Sequence, residues 1–445
     1  MASAPAPLIY LDNNGTTIPH KKVVELVKDW TSAYNPSSDS KWAKVSGAMI
    51  EKVRLAIHKH CNTSPQTHTV LFTSGASESN STIIRDCAYS FRRMTQTRGH
   101  IISSAIEHHS VLKCLEDLKD EGAISYSLIA PNIYGTINVS DVEKEIDSIR
   151  AKGLPIALIT IMFANNELGS INNIKGIGEL AFKNKIPFHT DAVQVFGKFT
   201  IDLPASKISA ISVSFHKFYG PKGIGLLIIS NLLIEGYGLR GIIAGSQQHG
   251  LRGGTENVAG IAGAGEALKI AFQHRGQKNE KLRQLKMAMI DNFAKHYPMG
   301  KYESYIDEAK DLKMTEIVIL GSDPADEIRS LPNTLLVSIA KNKGNAFCNI
   351  KFKELLRKNG IDISIGSACH TDSPKASHVL TAIHAPPVIK KGVIRISLGD
   401  YNTMEEVKQF NKIFLEVLDQ FIIDLDKNIK DPKKKTSIRD IGLST

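Results

Sequence analysis

Seven short apolar runs separated mostly by helix-length stretches dominate the chain between residues 68 and 230. They are Thr69–Thr73, His100–Ser103, Ser125–Ile129, Ala157–Met162, Pro187–His189, Ile208–Val213 and Ile224–Ile229. Their alternation with helices predicts an α/β fold with a largely parallel sheet covered on both faces. A second set of elements opens at Leu331–Ile339, passes through a helix at Lys351–Lys358 and closes with a strand at Val393–Leu398. It predicts a smaller second domain. The final helix is signalled at its start, where Thr403 and Glu406 have capping-box spacing. Val407, Phe410, Phe414, Val417, Leu418 and Phe421 then form one apolar stripe. Gly260, Gly263 and Gly265 imitate a dinucleotide-binding fingerprint out of order, but they follow no strand and are read as close helix packing.

Composition narrows the class without naming a chemistry. The 445 residues are 42% hydrophobic and 22% charged, which suits an enzyme of two or three packed units. No apolar run approaches the roughly 20 residues of a membrane span, and the first residues resemble neither a signal peptide nor a transit helix. A cytoplasmic protein without a membrane partner is expected. Five cysteines, widely scattered and never in a CxxC pair, predict neither a disulfide framework nor a zinc knuckle. The formal charge of +10 is spread along the chain with no recognition motif, so no nucleic-acid partner is expected. Only Lys433, Lys434 and Lys435 cluster, in a basic tail.

Candidate chemistry collects at strand ends. Lys217 lies between an apolar strand and the glycine-rich turn of Gly220, Gly223 and Gly225, with Ser214 and His216 just before it. A lysine at a strand mouth can lose its proton by desolvation and bond an aldehyde. The segment Ser74-Gly75-Ala76-Ser77 starts a helix after the first strand, where free N–H groups and the helix dipole make a phosphate cradle. Asp191 ends another strand, with Gln194 three residues on, and a carboxylate there can keep a pyridine nitrogen protonated. Glu107-His108-His109 and Asn165-Asn166-Glu167 follow two more strands. Adjacent histidine side chains rarely converge on one ion, so His108 is read as an aromatic stacker with acid–base capacity, not a metal ligand.

These segments together resemble one family. YLDNNGTT (Tyr10–Thr17), FTSGASESN, IEHHSVL, NNELG, HTDAVQ, SFHKFYGPKGIG, HGLRGGTEN, GSAC (Gly366–Cys369) and IRISLG (Ile394–Gly399) resemble, in order, the motifs of the cysteine desulfurases. These are pyridoxal 5'-phosphate enzymes of the class V aminotransferases with fold type I architecture. The resemblance spans Tyr10 to Leu418. It implies a seven-stranded, mainly parallel large domain over 21–265 and a smaller α/β domain over 266–425. The segment 1–20 would belong with the small domain; 426–445, beyond the resemblance, is read from its lysines as a basic, flexible tail.

The resemblance also implies roles. Lys217 would hold the cofactor and move the substrate Cα proton. Asp191 would pair with the ring nitrogen, Gln194 with the ring hydroxyl, and His108 would stack on the ring. Ala76, Ser77, Ser214 and His216 would hold the phosphate. Thr255 would complete that site from the other subunit of a homodimer. Asn166 and Arg395 would take the substrate carboxylate, and Cys369, on a loop of small and polar residues, would accept the sulfur as a persulfide. The implied reaction turns L-cysteine into L-alanine and feeds sulfur to an acceptor protein, as in iron–sulfur cluster assembly or tRNA thiolation. Selenocysteine lysis, another class V reaction or a silent scaffold are the alternatives. The chain departs from the family at Gly245-Ser246-Gln247-Gln248, at Gly253 and at Ser77, where threonine is common. Its tail does not resemble the segment that docks scaffold proteins.

Overall fold

The computed structural model describes residues 9–306, 314–321, 329–341, 347–365 and 377–430, with side chains through 427. In chain order its strands are β1 (Ile9–Tyr10), β2 (His68–Thr73), β3 (Gly99–Ser104), β4 (Ile124–Ile129), β5 (Ile156–Thr160), β6 (Phe188–Asp191), β7 (Ala210–Ser214) and β8 (Gly225–Ser230). They continue with β9 (Met299–Gly300), β10 (Glu316–Leu320), β11 (Thr334–Ala340), β12 (Ile361–Asp362) and β13 (Val393–Ser397). All seven apolar runs of the sequence are strands, with ends displaced by about one or two residues. They form one sheet in the order β2-β8-β7-β6-β5-β3-β4, parallel except for β8, which runs against both β2 and β7.

Successive residues of these strands enter different cores. Ile102, Ile159 and Leu226 join one buried cluster, while Ile101, Leu158 and Leu227 join another on the opposite face. Two buried faces explain why the runs are apolar throughout. The helix Val258–Phe272 covers the first face together with the helices Lys21–Trp30 and Lys41–Cys61. A Cβ on Gly263 would stand 2.4 Å from Val27, and one on Gly265 2.6 Å from Val53, so these glycines serve helix packing.

A second sheet, ordered β13-β11-β10-β9, packs on the C-terminal helix Met404–Lys430. Val407, Phe410, Phe414, Leu418 and Phe421 of that helix are buried, and Val417 packs at the margin of the same core. The chain start is tied to this side of the molecule. Strand β1 pairs in parallel with β12, Asp12 bridges to Ser397, and Ile9 and Leu11 enter the core of the second sheet. Among the described residues no helix is long and apolar enough to cross a membrane.

Candidate active site

Strands β2, β3, β5, β6 and β7 point their carboxyl ends to one edge of the large sheet, the usual place for a site in such folds. The loops that leave them line a cleft of about 860 Å³, closed on the far side by Ser364 and Arg395 of the smaller unit.

One end of the cleft is built by a helix start. The helix Ala76–Thr95 begins after Gly75, which gives no side-chain cap, whereas Ser40, Asn173 and Asn257 each cap their own helices. Its first N–H groups are therefore left for another acceptor. Gly225 lets this turn sit on β8, because a Cβ there would lie 2.6 Å from Gly75 Cα. Ala76, Ser77, Ser214 and His216 all line this end of the cleft. Thr16 Oγ1 lies 3.1 Å from His216 Nδ1, and burial, with the charges of Lys217 and Lys222, pushes the His216 pKa down to about 4. Glu78, in the first turn, is raised by burial, but hydrogen bonds from Arg252 and Ser74 outweigh this and hold it low.

Asp191 and His108 both line the cleft. Asp191 accepts hydrogen bonds from Asn80 Nδ2 at 2.8 Å and from Val193 N–H at 3.0 Å, which fixes its carboxylate. His108 caps the helix His109–Asp120, its Nδ1 accepting from Ser110 N–H at 3.1 Å. That bond leaves the proton of the neutral ring on Nε2. Surrounding protein lowers its pKa, although Asp191 opposes the effect. His109 instead turns away and packs on His378, with ring centroids 4.7 Å apart. Gln194 Nε2 donates to Asn14 O, while its Oε1 is buried without a partner.

Lys217 sits in the tight turn Phe215–Lys217 that ends β7. Its Nζ donates to Asn14 O and Gly15 O, both at 2.7 Å. Burial first, and Arg395 second, push its pKa down to about 8 against the pull of Asp12 and Asp191. Arg395 donates from Nη2 to Asp12 Oδ1 at 2.7 Å and from Nη1 to Asn166 O at 3.2 Å, and its buried Nε has no partner. The cleft thus offers a lysine ready to lose its proton, an arginine with a spare donor, and a carboxylate held by neutral donors.

A family model, aminotransferase class V, matches residues 9–410. A cysteine desulfurase IscS of Clostridium botulinum is 33% identical over 93% of this chain and 94% of its own length. The chain belongs to the class V aminotransferases, among the cysteine desulfurases. Another relative, a cysteine desulfurase IscS of Methanosarcina thermophila, is 34% identical over 92% of each chain. A solved NifS-like protein superposes with a TM-score of 0.76 at 30% identity, covering 93% of this chain and 99% of its own.

One residue expected at the site is not in this cleft, and another cannot be placed against it. Thr255 is exposed and does not line it, and Cys369 lies outside the described residues. The site also contains side chains that strand-mouth reasoning passed over. Asp12 and Asn14 belong to the first motif, yet their side chains had no assigned task. Asn14 binds Asn166 O, Thr334 and Asn333 and so ties the chain start to both sheets. Asn80 was hidden inside a helix, where only its spacing from Ala76, one helical turn on, could have flagged it. Glu107 proves to be a buried support: Ser104 and Met162 N–H donate to it, and burial raises its pKa to about 8.

Proposed function

We propose that the chain is a pyridoxal 5'-phosphate-dependent desulfurase that converts L-cysteine to L-alanine and loads the sulfur on Cys369. The observation that carries this reading is Lys217, its proton affinity lowered by burial and its amine facing the same cleft as Asp191 and Arg395. The residues present fit the cofactor: an uncapped helix start for a phosphate, a fixed carboxylate for a ring nitrogen, and an orphaned Gln194 amide for a ring hydroxyl. When bound, that cofactor supplies an electron sink for charge developing at the substrate Cα.

The chain's own groups supply the rest. Lys217 anchors the cofactor and, once freed, takes the Cα proton on Nζ. The Asp191 carboxylate holds a proton on the ring nitrogen, and Gln194 orients the ring through its hydroxyl. Ser77, Ser214, His216 and the N–H groups at Ala76 hold the phosphate. His108 covers the ring and donates from Nε2 near the substrate sulfur. Arg395 and Asn166 bind the carboxylate, where a guanidinium offers paired donors. The Cys369 thiolate attacks the substrate sulfur. An S–S bond forms as the C–S bond breaks, the electron pair stays with carbon, and proton uptake there yields alanine.

Thr255 is assigned to the phosphate site of a second copy, since its own chain leaves it outside the cleft. The reaction needs a free thiolate, which suits the reducing cytoplasm, and a sulfur-accepting protein downstream. Purified protein given L-cysteine and dithiothreitol is expected to release alanine and sulfide in equal amounts. Cys369→Ser is expected to retain the colour of the bound cofactor and lose about 100-fold or more of the sulfide. Undiminished sulfide from that variant would remove Cys369 as acceptor.

A further inference from the structure

Arg395 and Asp12 both line the cleft and form an ion pair there, Nη2 to Oδ1 at 2.7 Å. The main chain holds each of them in place. Arg395 exchanges two backbone hydrogen bonds with Ser364, while Asp12 bridges to Ser397 and its carbonyl accepts from the Tyr10 hydroxyl and the Gly15 N–H, both at 3.0 Å. Their side chains are 7% and 27% exposed, so this is not a solvated surface pair.

A guanidinium and a carboxylate that serve only each other close as a fork of two parallel bonds. This pair does not. Among the described residues Asp12 Oδ2 bonds to no other group, the second bond of Arg395 runs from Nη1 to Asn166 O at 3.2 Å, and its buried Nε has no partner. One carboxylate oxygen and most guanidinium protons are left over. A Cβ on Gly15 would stand 2.7 Å from Oδ2, so the missing side chain is what leaves room at that oxygen. The cleft therefore carries a free anionic acceptor beside free cationic donors. Lys222 and Lys353 also line it, but neither stands in an ion pair among the described residues. Either could hold a carboxylate without regard to what else the ligand carries.

We propose that Asp12 is a specificity-determining residue: its Oδ2 accepts from the ammonium group of the arriving amino acid while Arg395 takes the carboxylate. Charges of alternating sign then lie side by side, and both unfilled ends of the ion pair are satisfied. The pair also rejects. Because Asp12 neutralises Arg395, a carboxylate that brings no ammonium gains little net attraction, and a ligand that brings both gains at each end. The site thus selects zwitterionic α-amino acids over simple thiol acids. The contact is one of recognition, moves no proton and ends when the amine reacts. The inference rests on the L-cysteine reading above for its choice of ligand.

Lys217 lies near enough for Asp12 to act on its charge, so the test uses the loaded enzyme, in which that amine is occupied. Holoenzyme reduced with borohydride cannot turn over, and calorimetric titration at pH 7 then reads binding alone. Its two ligands are L-cysteine and 3-mercaptopropionate, which lacks the ammonium group. The parent is expected to prefer L-cysteine. Asp12→Asn and Asp12→Ser are expected to bind L-cysteine about tenfold more weakly and 3-mercaptopropionate about threefold more tightly, the first having lost an acceptor and the second a competitor. Opposite signs separate recognition from damage, which would weaken both ligands. Both weakened together, or both unchanged, overturns the proposal. Should neither variant fold, the unaltered protein decides: a tenfold preference for L-cysteine supports the pair, and equal affinities overturn it. Failure of the desulfurase reading would look different, because borohydride would fix no cofactor and the parent would release no alanine. The same titration of the cofactor-free full chain, judged by the same signs, then decides the pair by itself.

Discussion

The helix that begins at Met404 and the helix that begins at Ala76 start in opposite ways. At the first, Thr403 Oγ1 accepts from Glu406 N–H while the Glu406 carboxylate accepts from Thr403 N–H, so the box is closed on itself. At the second, Gly75 offers no side chain and the first N–H groups turn toward the cleft. A self-satisfied start stabilises the fold; an unsatisfied one is available to a ligand. The same division separates the two lysine environments. The exposed lysines of the helix surfaces pair with glutamates at little cost, whereas Lys217 is desolvated at a cost that only function can offset.

The largest effect that would break this contrast is at Lys217 itself. Its pKa of about 8 in the fold lies below the ordinary 10.5. As pH falls from 10.5 to 8 the unfolded chain therefore takes up a proton before the folded chain does, and stability is lost across that window. Lys217→Met removes this loss. Denaturant unfolding of the cofactor-free proteins is expected to find the variant more stable by about 3 kcal/mol at pH 7.5, with the advantage gone near pH 10.5. A variant no more stable at pH 7.5 would mean the site bears no such cost.

Ser77→Asp sharpens the contrast by improving the helix and damaging the site. A carboxylate in the first turn is worth up to about 1 kcal/mol to a helix, so the cofactor-free protein is expected to hold or gain stability. The same charge would repel a phosphate, and titration with pyridoxal 5'-phosphate is expected to show affinity about 100-fold weaker, near 3 kcal/mol. Unchanged affinity would place the phosphate elsewhere. The smallest effect belongs to the closed box. Thr403→Ala is expected to cost about 1 kcal/mol of stability and leave cofactor affinity as it was.

Most of this architecture was legible in the sequence because burial on both faces writes itself as unbroken apolar runs. The reversed direction of β8 was not, since a strand's residues carry no sign of which way it runs, and Gly225 shows only that something comes close. At the site, the strand-mouth residues were readable for the same reason: Lys217, Asp191 and His108 each interrupt an apolar pattern with chemistry. Asp12 and Asn80 escaped because their partners, Arg395 and Asp191, lie 383 and 111 residues away along the chain.

Reduction of the holoenzyme with borohydride, followed by peptide mapping, tests the assignment of Lys217 most directly. The cofactor is expected on the peptide containing Lys217 and nowhere else, with loss of that adduct in Lys217→Ala. A cofactor fixed to Lys198, Lys222 or any other lysine, or one still fixed in Lys217→Ala, would contradict it.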